Sequence, residues 1–213
     1  AENLGHEYIV LTDHSKSERV ANGMTEDRLL KYLKEVRSAA KQSKKVKVFV
    51  GSEVDITSNG ELDYSDEYLK QLDFVNVSIH SRFKATKEEM TDRVLTGLSN
   101  RYVKIFCHPT GRLIHRREPY AIDIDKLFEE AAQKKIAIEI DSIPDCMDIN
   151  DLYIKKAIEA GVKLAIDSDA HSIDQLRYIK YGAAMARRGW AEKKDIINTY
   201  PLKEFAKFFS FKM

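Results

Sequence analysis

Cysteine is scarce in this chain, and long apolar runs are missing. Only Cys107 and Cys146 occur among 213 residues. Their spacing excludes a zinc finger or a disulfide framework, and a reducing compartment, the cytoplasm, is expected. No stretch of about 18 apolar residues occurs, so no membrane-spanning helix is expected. Nothing at the start reads as a signal sequence. An excess of one charge is lacking too. The formal net charge of +1 argues against strong non-specific nucleic-acid binding by the whole surface. Local basic runs at residues 41–47, 112–117 and Arg187-Arg188 read as solvated faces. No Ser-His-Asp arrangement and no glycine-rich phosphate loop offers a competing chemistry.

What is present is an alternation. Short, β-branched apolar runs at residues 8–12, 46–56, 74–79, 103–107, 136–140 and 162–166 predict six strands. Helical patterns separate most of them. Thr25 is placed to cap a helix with Leu29, Leu30, Leu33 and Val36 on one face. Thr86-Lys87-Glu88-Glu89 predicts a capping box. Further helices are expected over 65–72, 123–135 and 172–188, and from Asn150 to a stop at Gly161. One more runs from about Pro201, and its Phe205, Phe208, Phe209 and Phe211 are expected to pack on the body. Ala1 to Gly5 reads as the last turn of a helix, so a segment upstream is expected. A β/α repeat of this length predicts one domain over residues 1–213, a parallel barrel short of at least one strand.

The strand ends carry the chemistry. His14, Glu53, His80, His108, Asp169 and His171 each follow a short apolar run. In β/α barrels the reacting groups sit at the carboxyl ends of the strands. Asp169 and His171 are two apart, so in extended chain they face the same way, and Asp167 shares that face. Asp13 and His14 are adjacent and face oppositely, so His14 is the expected ligand and Asp13 its orienter. Gly51 and Ser52 leave room beside Glu53, whose carboxylate can bridge two cations. His6 and His115 read as surface histidines. Mixed imidazole and carboxylate ligands without thiolates suit Zn, Mn or Fe. Two or three such ions close together fit a phosphoester hydrolase. Arg82 and Arg112 follow His80 and His108 closely, and guanidinium forks suit phosphate oxygens.

These segments resemble a known family. Thr12-Asp13-His14, Gly51-Ser52-Glu53, Ser78-Ile79-His80, Cys107-His108-Pro109 and Ser168-Asp169-Ala170-His171 are similar to the motifs of the polymerase and histidinol phosphatase (PHP) domain. More narrowly, the stretches from Gly60 to Glu67, His108 to Arg112 and Ala186 to Trp190 resemble the PHP domain at the C-terminus of bacterial and archaeal family X DNA polymerases. The resemblance implies a distorted seven-stranded α/β barrel with three metals. It implies Glu53 and Asp169 at the first metal. It implies Glu53, His80 and His108 at the second, and His14 and His171 at the third. It also implies a DNA partner and a polymerase domain upstream. The family's opening strand, with a His-x-His pair and a later acid, is not in these residues. The first metal then lacks two imidazoles and the third one ligand. A second departure is the segment from Glu139 to Cys146: the polymerase-linked members usually place Asn at the position of Asp141 and a basic residue near Cys146. Asp141 is expected beside the metals rather than on them.

The reading is metal-dependent hydrolysis at DNA 3′ ends, as 3′-to-5′ exonuclease or end processing within a repair polymerase. A non-catalytic module of the polymerase and a small-molecule phosphatase of the histidinol phosphate type are the alternatives.

Overall fold

The computed structural model describes residues 1–211. Six strands form one parallel sheet in sequential order. They are β1 (Tyr8–His14), β2 (Lys47–Asp55), β3 (Phe74–Ser78), β4 (Val103–Phe106), β5 (Ala137–Asp141) and β6 (Leu164–Asp167). Seven α-helices connect or follow them: α1 (Glu26–Ala40), α2 (Asp66–Leu69), α3 (Lys87–Leu98), α4 (Ile124–Lys134), α5 (Asp151–Glu159), α6 (Ile179–Arg188) and α7 (Leu202–Phe208). Parallel neighbours need crossovers, and the helices supply them. None of them is long and apolar enough to cross a membrane. The six expected strands are present. A seventh is absent among the described residues, where β1 and β6 have one strand neighbour each.

The sheet curls into a half-barrel. Flat strands about 4.8 Å apart would hold β1 and β6 roughly 24 Å from each other. Yet the rings of His14, ending β1, and His171, four residues beyond β6, lie 5.9 Å apart. Such closeness between the ends of the first and last strands fits a sheet that curls, and the inward-facing residues of all six strands close around a common interior.

Strand alternation then sorts the side chains. Val50, Val54, Val75, Val77, Ile138, Ile140, Leu164 and Ile166 point outward into the core beneath the helices. Phe49, Phe74, Ile105, Ala137 and Ala165 point inward at the amino end of the half-barrel. Helix α7 plugs that end with Phe205 and Phe209, as expected for the aromatic tail. Phe205 stacks on Tyr8 at 4.2 Å and on Phe74 at 5.6 Å. Further along the same inner faces the side chains turn polar, with Asn76 on β3, Glu139 on β5 and Asp167 on β6 directly next, and Glu53 on β2 beyond Gly51.

The capping box at Thr86 and Glu89 forms. Asn150 caps α5 through Tyr153 N–H. Thr25 occupies the N-cap position of α1 but makes no side-chain cap bond. The single helix expected over 172–188 is split. Residues Ile173–Tyr178 form a 3₁₀ turn and only Ile179–Arg188 is α-helical. Ile173 is 86% exposed, so that first turn has no apolar face to bury against the sheet.

Phe205→Ala is expected to lower unfolding free energy by about 3–5 kcal/mol, the cost of a large core truncation. Urea denaturation checks this. A loss below about 1 kcal/mol would show that α7 is not an integral plug.

Candidate metal centre

The carboxyl ends of the strands meet around one buried carboxylate. Glu53 points inward from β2 and is 6% exposed. His108 Nε2 donates to its Oε1 at 2.8 Å. His80 Nε2 lies 3.5 Å from the same oxygen, and His14 Nδ1 lies 3.5 Å from Oε2. The imidazoles pack in sequence, His14 to His80 at 5.2 Å and His80 to His108 at 5.0 Å between ring centres. His14, Glu53 and His80 each present a ligand atom within 4.8 Å of the others. Four of the six expected ligands therefore touch one another through Glu53.

Asp169 and His171 border this group. Their loop is not extended, since Asp169 takes φ 40°. They are neighbours all the same, with His171 Nδ1 3.9 Å from Asp169 Oδ1. The ring Nδ1–H of His171 donates to the Asp169 carbonyl at 2.8 Å, which leaves Nε2 free. His108 also has positive φ, 29°, and its backbone N–H donates to Glu139.

The surrounding shell differs from expectation in three places. Asp13 accepts from the backbone N–H of His14 at 3.0 Å, not from its ring. Ser52 turns away from the cluster and donates to the Asp13 carbonyl at 2.7 Å. Gly51 is small because of its neighbour strands: a Cβ there would sit 2.5 Å from the Phe74 carbonyl oxygen. Arg112 donates from Nε to the Cys146 carbonyl at 2.8 Å and from Nη2 to Met147. Its guanidinium braces the loop after β5. Arg82 is exposed beside His80, with no side-chain hydrogen bond among the described residues.

Several site residues were missed. Asp55 Oδ1 accepts from His80 Nδ1 at 2.9 Å, which fixes the tautomer that presents Nε2 to Glu53. Glu18 Oε2 lies 3.9 Å from the same nitrogen. Glu139 is buried, and its carboxyl is pushed up by burial and then by the charges of Asp167 and Asp141. Asp148 accepts from Thr110 N–H at 2.9 Å and Thr110 Oγ1 at 2.8 Å, anchoring the turn after His108. The signal for Asp55 was present, because Glu53 and Asp55 are two apart on one strand, the rule already applied to Asp169 and His171.

The electrostatics suit a cation. Burial raises Asp141 to about 7 and Asp167 to about 8, helped by the charge of Asp169 on both. Glu139 and Asp169 are raised too, by burial first and then by acidic neighbours. Burial also opposes the charged pair of Glu53 and His108, but their mutual hydrogen bond outweighs it. Glu53 is held well below the carboxylate range and His108 is raised to about 10. His14 Nδ1, Asp141 Oδ2 and Asp167 Oδ1 are buried without a hydrogen-bond partner. Unpartnered donors of N and O type beside crowded acids fit divalent ions.

The comparisons agree with this site. The chain matches no family profile. It is 41% identical over 204 residues to the DNA polymerase/3'-5' exonuclease PolX of Bacillus subtilis (strain 168), covering 96% of this chain and 36% of that protein. It is 30% identical over 181 residues to a probable phosphatase of Thermoanaerobacter sp. (strain X514), covering 78% of this chain and 67% of that protein. The chain belongs to the PHP family. Its fold matches a histidinol phosphate phosphatase from Lactococcus lactis, solved with Zn, L-histidinol and phosphate. That match has a TM-score of 0.56 at 16% identity, over 89% of this chain and 84% of that one. The PHP chain thus spans about a third of its polymerase relative and two thirds of its phosphatase relative.

Metal-free protein is expected to lose stability as pH rises. Asp141 and Asp167 keep their protons in the folded state up to about 7 and 8, while the unfolded chain releases them near the ordinary aspartate value of 3.8. His108 holds its proton to about 10 against 6.5. In each case the folded state binds more protons, so stability falls between pH 4 and 10. Thermal melts in chelator should give a lower midpoint at pH 8.5 than at pH 5.5, and added Mn should restore more at the higher pH (about 2.7 kcal/mol for an ion at 100 times its Kd). A midpoint that climbs with pH would contradict these protonation states.

Proposed function

We propose that this chain hydrolyses phosphoesters with bound divalent ions, and that its substrate is the 3′ end of DNA. The observation that carries the reading is the Glu53 carboxylate buried among the imidazoles of His14, His80 and His108. Glu53, His80 and His108 would hold one ion, Glu53 and Asp169 a second, and His14 and His171 a third, with Glu53 bridging. Zn, Mn and Fe suit these donors. Ions so held supply a hydroxide at neutral pH and offset charge on the phosphoryl oxygens.

The chain's own residues do the rest. Asp55 holds the His80 ring in place. Glu139 and Asp148 hold the turn that carries His108. Arg82 is exposed and free to meet a phosphate, and Arg112 braces the loop after β5 beside the site. Asp13 and Asp141 act from the side, Asp13 on the His14 backbone and Asp141 on the loop at Ile143. A seventh strand bearing further ligands, and a polymerase domain upstream, belong to the same reading. The 41% identity to a polymerase with 3'-5' exonuclease in its name supports DNA over a small phosphomonoester.

The test is degradation of a labelled 3′-recessed duplex with Mn, alongside hydrolysis of p-nitrophenyl phosphate. Glu53→Gln and His108→Ala are each expected to cost at least about 100-fold in rate, through loss of several kcal/mol of charge stabilisation. Hydrolysis of the small ester alone would move the reading to a small-molecule phosphatase. No hydrolysis of either would leave a non-catalytic module.

A further inference from the structure

The net charge of +1 hides a segregation along the strand axis. Glu53, Asp55, Glu139 and Asp141 are buried at the carboxyl ends of the strands. Lysine dominates the opposite end. Two hollows there border α7. One, of about 690 Å³, is lined by Arg37, Lys41, Lys44, Lys45 and Lys47, with Glu7 and Asp73. The other, of about 540 Å³, is lined by Lys135, Lys163 and Lys207, with Glu204 and the ring of Phe208. Across the two, eight cations face three carboxylates. Lys41, Lys44, Lys45, Lys135 and Lys207 are exposed and form no ion pair among the described residues. Arg37 reaches Asp73 only at 4.0 Å.

Helix dipoles account for only part of this surface. Lys41, Lys135 and Lys207 sit at the C-terminal ends of α1, α4 and α7, where a cation is favoured. Lys44, Lys45 and Lys47 lie beyond the end of α1, where that pull has faded, and Lys163 precedes β6. A protein partner fits poorly as well, since protein interfaces are depleted in lysine and centred on apolar or arginine anchors. Unpaired lysines spread over a broad face suit a phosphate backbone, where affinity comes from released counterions.

We propose that this lysine face docks the backbone of a DNA duplex. It takes its choice of polyanion from the DNA reading above, but not its location. Lys47 lies six residues before Glu53 on β2, or roughly 20 Å away. The DNA held there is therefore a different stretch from the end that meets Glu53.

The experiment is fluorescence anisotropy of the full chain on a labelled, hydrolysis-resistant phosphorothioate duplex, over a salt series. Lys44→Glu, Lys45→Glu and Lys47→Glu together are expected to weaken binding at least about tenfold and to flatten the slope of log K against log salt by roughly two to three. Lys135→Glu with Lys207→Glu should act in the same direction. Both variants should keep the parent's thermal melting midpoint, which shows that they fold, and its rate on p-nitrophenyl phosphate with Mn. Unchanged affinity and slope in both variants overturn the proposal. So does a parent chain that binds no duplex. Binding is read without hydrolysis, so a chain that docks DNA through these lysines yet hydrolyses nothing refutes only the hydrolase reading.

Discussion

A carboxylate buried among imidazoles is the constraint on which the rest depends. Glu53 leaves water at 6% exposure, and a lone charge there would be expensive. Its balance comes from His108, with His80 and His14 beside it. Those three rings come from three different strands, so they converge only if the sheet curls. Curling in turn exposes a concave face that must be filled. The chain fills its amino half with Phe49, Phe74 and the α7 aromatics, and its carboxyl half with polar groups. One curved sheet thereby separates a dry plug from a charged site.

The loops at the charged end are cross-braced. Arg93, buried on α3, donates to the Ile56, Thr57 and Ser81 carbonyls and so ties the ends of β2 and β3 together. Asp148 and Arg112 do the same for the loops after β4 and β5. Asp63 accepts from Ser17 N–H and Oγ, both at 2.7 Å, and fixes the turn that carries Glu18 toward His80. Irregular backbone is concentrated here too, with positive φ at His108 and Asp169. Braced loops of this kind hold side chains to the tolerances that a multi-ligand site needs.

Much of this was legible in the chain. Periodicity located all six strands, because fully buried parallel strands read as apolar runs. The residues at their ends were legible for the same reason: His14, Glu53, His80 and His108 follow those runs directly. Partners distant in sequence were not legible. Nothing local says that Arg112 reaches Cys146 and Met147, or that Glu139 takes the His108 amide, since both depend on how β4 and β5 sit side by side. The small size of Ser52 does not reveal that its hydroxyl has its own acceptor, the Asp13 carbonyl on β1. The 3₁₀ turn at Ile173–Tyr178 escaped because a helical pattern does not reveal whether a face has anything to pack against.

The most direct measurement is anomalous diffraction from crystals grown with Mn. The account requires an ion peak bonded to Glu53 together with the Nε2 atoms of His80 and His108, and loss of that peak in Glu53→Gln. Crystals with no peak at Glu53, or with ions only on surface carboxylates, would contradict it.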